Sequence, residues 1–295
     1  MQVVRTPGSA RAIARTLARP VGFVPTMGAL HAGHLALVDR ARRENAAVVA
    51  SIFVNPLQFG PHEDYSRYPR DFPRDAALLE ERGVDLLYAP SVDRMYGPDF
   101  ATTIDVGPVA APFEGAARPG HFLGVATVVA KLLHAVEPTT LYLGQKDVQQ
   151  TAVLRRMIED LDLPVAPVVC RTVRESSGLA LSSRNAYLSP QERAAGPSLY
   201  RALSAVATSV AAGDDLEGAL AAGRDLLQAP LTWEYLAVVD PVTFVPLERS
   251  ARPALVLGVV RAGAVRLLDN LSVAGIDGND PIVTPEHPRA RTVRM

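Results

Sequence analysis

The sequence is poor in cysteine, in long apolar runs and in signals for export. Its one cysteine, Cys170, excludes an internal disulfide framework and favours a reducing compartment. No apolar run approaches the roughly 18 residues of a membrane span, and the opening residues MQVVR do not form a signal peptide. These absences predict a cytoplasmic protein with no membrane partner.

A large excess of either charge is also missing. The formal net charge is −1 at pH 7, whereas a protein that binds nucleic acid normally carries a strongly basic surface. We therefore expect no nucleic-acid partner. The 295 residues, 48% hydrophobic and 21% charged, suit an ordinary globular protein of one large domain or two modest ones.

Lysine is rare as well, because almost all the positive charge is arginine. The two lysines are Lys131 and Lys146. Lys131 falls off the apolar face of a predicted helix over residues 122–136, so it is expected to be solvated. Lys146 follows a predicted strand, and a compact ammonium there suits a phosphate group as a point charge.

Residues 21–41 predict a strand, a tight turn and a helix. The apolar run 21–24 is typical of a buried parallel strand, which Pro25 should end because proline cannot donate to a ladder. His31 and His34 stand at the start of the helix, where unpaired N–H groups favour an anion. The pattern predicts two imidazoles that donate to one phosphate group; half a metal site and two packing histidines are the alternatives.

Strands alternate with helices as far as residue 173, which predicts a Rossmann-like doubly wound parallel sheet. Ligands of such sheets bind beyond the carboxyl ends of the strands. Four distinctive loops follow predicted strands and should therefore share one site: 25–34, 55–60, 144–150 and 173–184.

The composition changes after residue 184. Ser189 and Glu192 form a capping-box pattern that opens a region of alanine-rich helices, and three short apolar runs then predict a small sheet. We expect a Rossmann-like domain over residues 1–184 and a small α+β lid domain over residues 185–295, with a flexible tail from about residue 275.

Two of the loops carry residues suited to phosphate chemistry. In the loop at 144–147, Lys146 can hold a phosphate and Asp147 can accept Mg²⁺, although a capping carboxylate beside an exposed lysine would look the same. The loop at 181–185 offers two hydroxyls and the guanidinium of Arg184, a combination that is common in turns.

These motifs together carry a family resemblance. Residues 31–34, HAGH, resemble the HxGH signature of the nucleotidyltransferase superfamily related to class I aminoacyl-tRNA synthetases, and residues 181–185 resemble its second phosphate-binding signature, the KMSKS counterpart. The longer run VPTMGALHAGH, residues 24–34, resembles the pantothenate synthetase family. The likeness extends from about residue 21 to 188, and more weakly over residues 267–270.

The resemblance implies a homodimeric, AMP-forming ligase. Such an enzyme condenses pantoate with β-alanine through a pantoyl adenylate, consuming ATP with Mg²⁺ and releasing AMP and diphosphate. Carried over to this sequence, it implies pantoate binding by Gln58 and Gln150, β-alanine binding by Gln58, and Mg²⁺ binding by Asp147. It assigns catalysis to His31, His34, Lys146 and Arg184, and ATP binding to Met27, Gly28, Ala29, Leu30, His31, Ala32, Gly33, His34, Gly144, Gln145, Lys146, Asp147, Val173, Leu181, Ser182, Ser183 and Arg184.

Three positions depart from the family pattern. Gln145 stands where the family commonly has glutamate, Val148 where it often has an aromatic residue, and Leu181 where methionine is usual. Two other functions stay open beside the ligase. One is an adenylyltransferase that acts on another small acid or a phosphate ester; the other is a nucleotide-binding module without catalysis.

Overall fold

The computed structural model describes residues 1–61 and 63–273. Six parallel strands form the larger sheet in the order β1-β4-β3-β2-β5-β6. The strands are β1 (Gln2–Val4), β2 (Val21–Thr26), β3 (Ala47–Ile52), β4 (Leu86–Tyr88), β5 (Thr140–Gly144) and β6 (Ala166–Cys170). The tail predicted from about residue 275 lies outside the described residues.

Helices cover both faces of this sheet, because alternate strand residues are apolar on each side. The helices are α1 (Pro7–Ala14), α2 (Ala32–Glu44), α3 (Phe72–Glu81), α4 (Val92–Met95), α5 (Glu114–Ala117), α6 (His121–Val136) and α7 (Val148–Asp160). In β2, Phe23 packs in a cluster with α1, α6 and α7, whereas Val24 packs on the opposite face with α2 and α3. The prediction of a doubly wound parallel sheet is confirmed.

Two details of the predicted sheet were wrong. The edge strand β1 was missed; it pairs with β4, which lies 84 residues further along the chain. Strand β2 also does not stop at Pro25, since its pairing with β3 continues through Pro25 to Thr26. Pairing with β5 stops at Phe23, so the missing N–H of Pro25 faces the side where no ladder continues.

The predicted antiparallel sheet and the capping box at Ser189 are both present. Strands β7 (Thr232–Val239), β8 (Leu255–Ala262) and β9 (Val265–Ser272) pair in sequence order. The helices before them are α8 (Pro190–Ala195), α9 (Pro197–Ala212) and α10 (Leu216–Asp225). Helix α9 packs on the sheet through a separate apolar cluster, so this region has a core of its own.

Strand β9 connects the small sheet to loops of the large one. Arg266 binds both carboxylate oxygens of Glu114, in α5, at 2.7 Å. The side-chain amide of Asn270 donates to the carbonyl oxygens of Gln145 and Lys146, at 2.8 and 3.0 Å. The two regions are therefore joined beside the loop that begins α7. Within the residues that the structure describes, no helix has the length and apolar character needed to cross a membrane.

Candidate active site

The four loops meet at the carboxyl ends of β2, β3, β5 and β6, around an open cavity of about 250 Å³. Most of the predicted site residues line it: Met27, His31, Gly33, His34, Gln58, Gly144, Lys146, Asp147, Gln150, Val173, Leu181, Ser182, Ser183 and Arg184. Gly28, Ala29, Leu30, Ala32 and Gln145 lie outside that lining. The cavity also extends toward the small sheet, where Arg266 and Leu268 contribute to its wall.

The side chains of the two histidines cap the N-terminus of α2. His31 is the N-cap residue, and its Nδ1 accepts the N–H of Gly33 at 3.1 Å. The Nδ1 of His34 accepts the N–H of His31 at 3.4 Å, which completes a capping box made of imidazoles. The ring centroids are 4.1 Å apart. Because each Nδ1 accepts a hydrogen bond from a backbone N–H, a neutral ring carries its own proton on Nε2.

This arrangement changes which groups can meet an anion. Backbone N–H groups were expected to bind it, but those of His31 and Gly33 already donate to imidazoles. The Nε2–H groups of both rings remain as donors, and they lie at the positive end of the helix dipole.

Both imidazoles are held neutral in the free protein. Desolvation, followed by the adjacent His31 ring, lowers the pKa of His34 to about 3. Desolvation and the charge of Lys146 also lower the pKa of His31. Two neutral rings therefore face the cavity as hydrogen-bond donors.

Beneath the histidine turn lies a buried carboxylate that the sequence did not single out. Asp75, in the first turn of α3, is 1% exposed. Its Oδ2 accepts the N–H of Ala29 at 2.7 Å and its Oδ1 accepts the N–H of Leu30 at 2.9 Å. The backbone donors of these two predicted ATP-binding residues are thus occupied by the protein itself.

Lys146 and Asp147 form the opposite wall. The Lys146 Nζ lies 3.3 Å from Oδ1 of Asp147, whose side chain is 49% exposed. Asn270 holds the carbonyl oxygens of Gln145 and Lys146 from behind. The ammonium is therefore supported beside the cavity rather than extended into solvent.

Arg184 is held by a carboxylate from a distant loop. Its Nε and Nη2 donate to the two oxygens of Asp64, at 3.0 and 2.8 Å. The hydroxyls of Tyr68 and Ser183 lie 3.5 Å apart, so the two loops touch at a second point. Burial would lower the pKa of Arg184, but the hydrogen-bonded Asp64 carboxylate keeps it above the ordinary value.

The amide of Gln58 is fixed by its neighbours. Its Oε1 accepts from Asn55 at 3.2 Å, and its Nε2 lies 3.2 Å from the sulfur of Met27. Asn55 is 1% exposed and also donates to the carbonyl of Gly124. Gln150 lines the cavity from the first turn of α7 and is half-buried.

A further polar cluster borders Gln58 and was missed at the sequence level. Arg118 donates to both oxygens of Glu63, at 2.7 and 2.6 Å, and its Nη1 lies 3.0 Å from Nε2 of His121. His121 is buried, and its pKa is lowered to about 4 by burial and by Arg118. A signal was available: His121 follows Gly120 at the start of α6, just as His34 follows Gly33 in the first turn of α2.

Comparisons with known proteins agree with one another. A family model described as pantoate-beta-alanine ligase matches residues 2–272. The pantothenate synthetase of Roseiflexus castenholzii is 54% identical over 273 residues, which are 92% of this chain and 98% of the relative. That of Thermus thermophilus is 57% identical over 256 residues, 86% of this chain and 93% of the relative.

Solved structures show the same likeness in three dimensions. A crystal structure of pantothenate synthetase from Thermus thermophilus superposes with a TM-score of 0.88 at 55% identity, covering 92% of this chain and 99% of that one. A pantoate-beta-alanine ligase from Francisella tularensis, complexed with beta-gamma ATP and beta-alanine, gives a TM-score of 0.76 at 32% identity, with coverage of 93% and 98%.

Proposed function

Because this chain belongs to the pantoate–β-alanine ligase family, we propose that the cavity at the carboxyl ends of β2, β3, β5 and β6 is its active site. The protein is an ATP-dependent ligase that condenses pantoate with β-alanine to give pantothenate, AMP and diphosphate. The observation that carries the assignment of the site is the convergence of two Nε2–H donors, one ammonium and one guanidinium on a single cavity.

The chemistry runs in two steps. A carboxylate oxygen of pantoate attacks the α-phosphorus of ATP, and the bond to the departing diphosphate breaks, which leaves pantoyl adenylate. The amine of β-alanine then attacks the acyl carbon, AMP leaves with the former carboxylate oxygen, and the nitrogen loses a proton. Negative charge on phosphate oxygens develops in the first step, so preorganised donors and cations accelerate it.

Each donor group has a place in that first step. His31 and His34 donate to phosphate oxygens through Nε2–H, while Lys146 and Arg184 balance charge on the triphosphate. Met27, Gly144, Val173 and the hydroxyls of Ser182 and Ser183 complete the nucleotide wall. The other residues implied by the resemblance contribute backbone and packing around this wall. They are Gly28, Ala29, Leu30, Ala32, Gly33, Gln145 and Leu181.

Gln58 and Gln150 hold pantoate without adding charge. A primary amide both donates and accepts, so two of them can grip a carboxylate and hydroxyl groups. A neutral grip matters because a strong cation would stabilise the pantoate carboxylate in the ground state and slow its attack. Gln58, fixed between Asn55 and Met27, also faces the incoming β-alanine.

Mg²⁺ fits the residues present. Among the described residues no group of three or more His, Cys, Asp or Glu side chains is placed to hold a metal ion, but Mg²⁺ with a nucleotide needs only one or two carboxylates. Asp147 is such a carboxylate, exposed at the cavity beside Lys146. The ion would neutralise charge on the phosphate oxygens when bound with ATP.

Three broader features belong to the same proposal. Residues 1–184 form the domain that binds ATP and pantoate, and residues 185–295 act as a lid that excludes water from the adenylate, with Ser182–Arg184 as the hinge. The separate apolar cluster of the small sheet supports that division. The enzyme works as a homodimer in the cytoplasm, as the family resemblance and the lone Cys170 suggest.

Isotope exchange tests the function. Labelled pyrophosphate should enter ATP when pantoate alone is added, and AMP should accumulate once β-alanine is present. Gln150→Ala should weaken pantoate binding by about 1–3 kcal/mol through lost hydrogen bonds, with ATP binding unchanged. Exposed Gln191→Ala is the matched control. Exchange that requires β-alanine would contradict the stepwise route, and an unchanged pantoate KM in Gln150→Ala would move the pantoate pocket elsewhere.

A further inference from the structure

The turn before the two histidines is built like an anion site that is already filled. Gly28 and Ala29 have φ angles of +81° and +52°, so two successive residues adopt the left-handed conformation. Turn backbone can point successive N–H groups toward one spot, where they bind an anion. Here those of Ala29 and Leu30 converge on one carboxylate, that of Asp75.

The carboxylate of Asp75 is buried, and it is not the group that caps the helix to which it belongs. The N-cap of α3 is Asp71, whose side chain accepts the N–H of Arg74 at 3.2 Å. Asp75 is instead 1% exposed, and both of its oxygens accept hydrogen bonds from the turn. Arg74 completes the arrangement, since its Nη1 lies 3.2 Å from the carbonyl of Leu30 and 3.4 Å from Asp75. These contacts join two elements whose paired residues are 44 to 46 positions apart in the sequence.

The lock lies next to the proposed catalytic groups. His31 directly follows Leu30, and its N–H donates to Nδ1 of His34. A rotation of the 29–31 backbone would therefore turn both rings and misdirect both Nε2–H groups. The substitution of alanine for Gly28 would also be obstructed, because a Cβ there would come 3.0 Å from Asp75 Oδ2.

We propose that Asp75 is a positioning residue for adenylate formation, the internal anion that fixes the histidine turn. Substrate phosphate then meets the imidazole Nε2–H groups rather than the N–H groups of Ala29 and Leu30. This inference rests on the proposed roles of His31 and His34. It concerns the step that forms the adenylate and not the binding of pantoate.

Asp75→Asn is the sharpest test, because an amide oxygen can accept one N–H while its NH₂ opposes the other. We expect pyrophosphate exchange to fall at least tenfold in kcat, with the pantoate KM within twofold of wild type. Nitrogen NMR of the imidazoles should report Nε2–H tautomers in the wild type and altered signals for both rings in Asp75→Asn. The matched control, Asp71→Asn, keeps an accepting oxygen at the N-cap of α3, so it should leave the melting temperature, the exchange and the imidazole signals close to those of the wild type.

Each outcome decides a different question. Absence of exchange in the wild type would refute the proposed function. A folded Asp75→Asn with wild-type exchange and imidazole signals would overturn the positioning role alone. If Asp75→Asn does not fold, Asp75→Glu keeps the charge and moves the carboxylate by one methylene. Reduced exchange in that variant supports the inference, and wild-type exchange overturns it.

Discussion

The two walls of the cavity are held in different ways. On the histidine wall, the N–H groups of residues 28, 31 and 33 are satisfied within three residues, and the buried Asp75 accepts those of residues 29 and 30. On the opposite wall, Arg184 depends on Asp64, 120 residues away, and the Lys146 loop depends on Asn270. Arg184 and Asp64 are 31% and 16% exposed.

The imidazoles are therefore positioned in advance, whereas the ion pair of Arg184 can rearrange. Local hydrogen bonds and a buried carboxylate fix the imidazoles before substrate arrives, which is the condition for electrostatic preorganisation. A partly exposed ion pair between loops costs little to exchange, so the guanidinium can leave one anion for another. Under the proposed function, the first wall would direct donors at phosphate, and the second would rearrange when the proposed lid closes.

Removing one imidazole should have the largest effect on this comparison. His34→Ala deletes a donor from the rigid wall, and a hydrogen bond to a charged phosphate is worth about 1.5–3 kcal/mol, so adenylate formation should slow by roughly ten- to a hundredfold. The fold should be retained. Pyrophosphate exchange measures the loss, and exposed His134→Ala is the control. Unchanged turnover in His34→Ala would remove the rigid wall from the chemistry.

On the opposite wall, the loss of Arg184 and the loss of its partner Asp64 should slow exchange by different amounts. Arg184→Ala removes a cation from the phosphates and should slow exchange about tenfold. Asp64→Ala removes only the holding carboxylate, so it should change exchange less than threefold and lower the free energy of unfolding by at most about 1 kcal/mol. Parallel exchange and urea unfolding measurements separate the two. Equal losses of exchange would mean that the ion pair is as rigid as the histidine wall.

Acid should lower the free energy of unfolding gradually, because His34 and His121 are neutral in the fold and gain protons when the chain unfolds. The pKa values of His34 and His121 in the fold, about 3 and about 4, lie below the ordinary 6.5. Between about pH 4 and 6.5 the unfolded chain therefore binds more protons at these rings, and the free energy of unfolding falls as the pH falls. Each ring contributes up to about 1.4 kcal/mol per pH unit.

Unfolding by urea between pH 4.5 and 7 measures this dependence. His121→Gln should reduce the slope by up to about one proton. Identical slopes in wild type and His121→Gln would show that His121 is not held neutral by the fold.

Sequence reasoning succeeded where the determinants are close together. The strand, turn and helix around His31 and His34 are specified within residues 21–44, and the capping box at Ser189 within four residues. The order of loops after strands then predicted one shared cavity, because parallel topology brings those ends to one edge.

It failed where long-range partners decide. Strand β1 has three residues and exists only because β4 accepts it. An aspartate in the first turn of a helix is favoured at any helix N-terminus, so nothing marked Asp75 as a partner of the histidine turn. Lys131 was expected in solvent but is half-buried, with its Nζ 5.0 Å from the ring centroid of Phe100. Each outcome depends on a residue far away in the sequence.

The contact between Asn270 and the Lys146 loop has a consequence for the order in which the enzyme matures. Synthesis delivers the chain from its N-terminus, and N-terminal regions fold first. A nascent chain that has just released residue 184 already contains every proposed catalytic side chain, yet the carbonyls of Gln145 and Lys146 still lack the amide that binds them 125 and 124 residues later. The Lys146 side of the proposed active site therefore gains its support only after the ribosome has added β9.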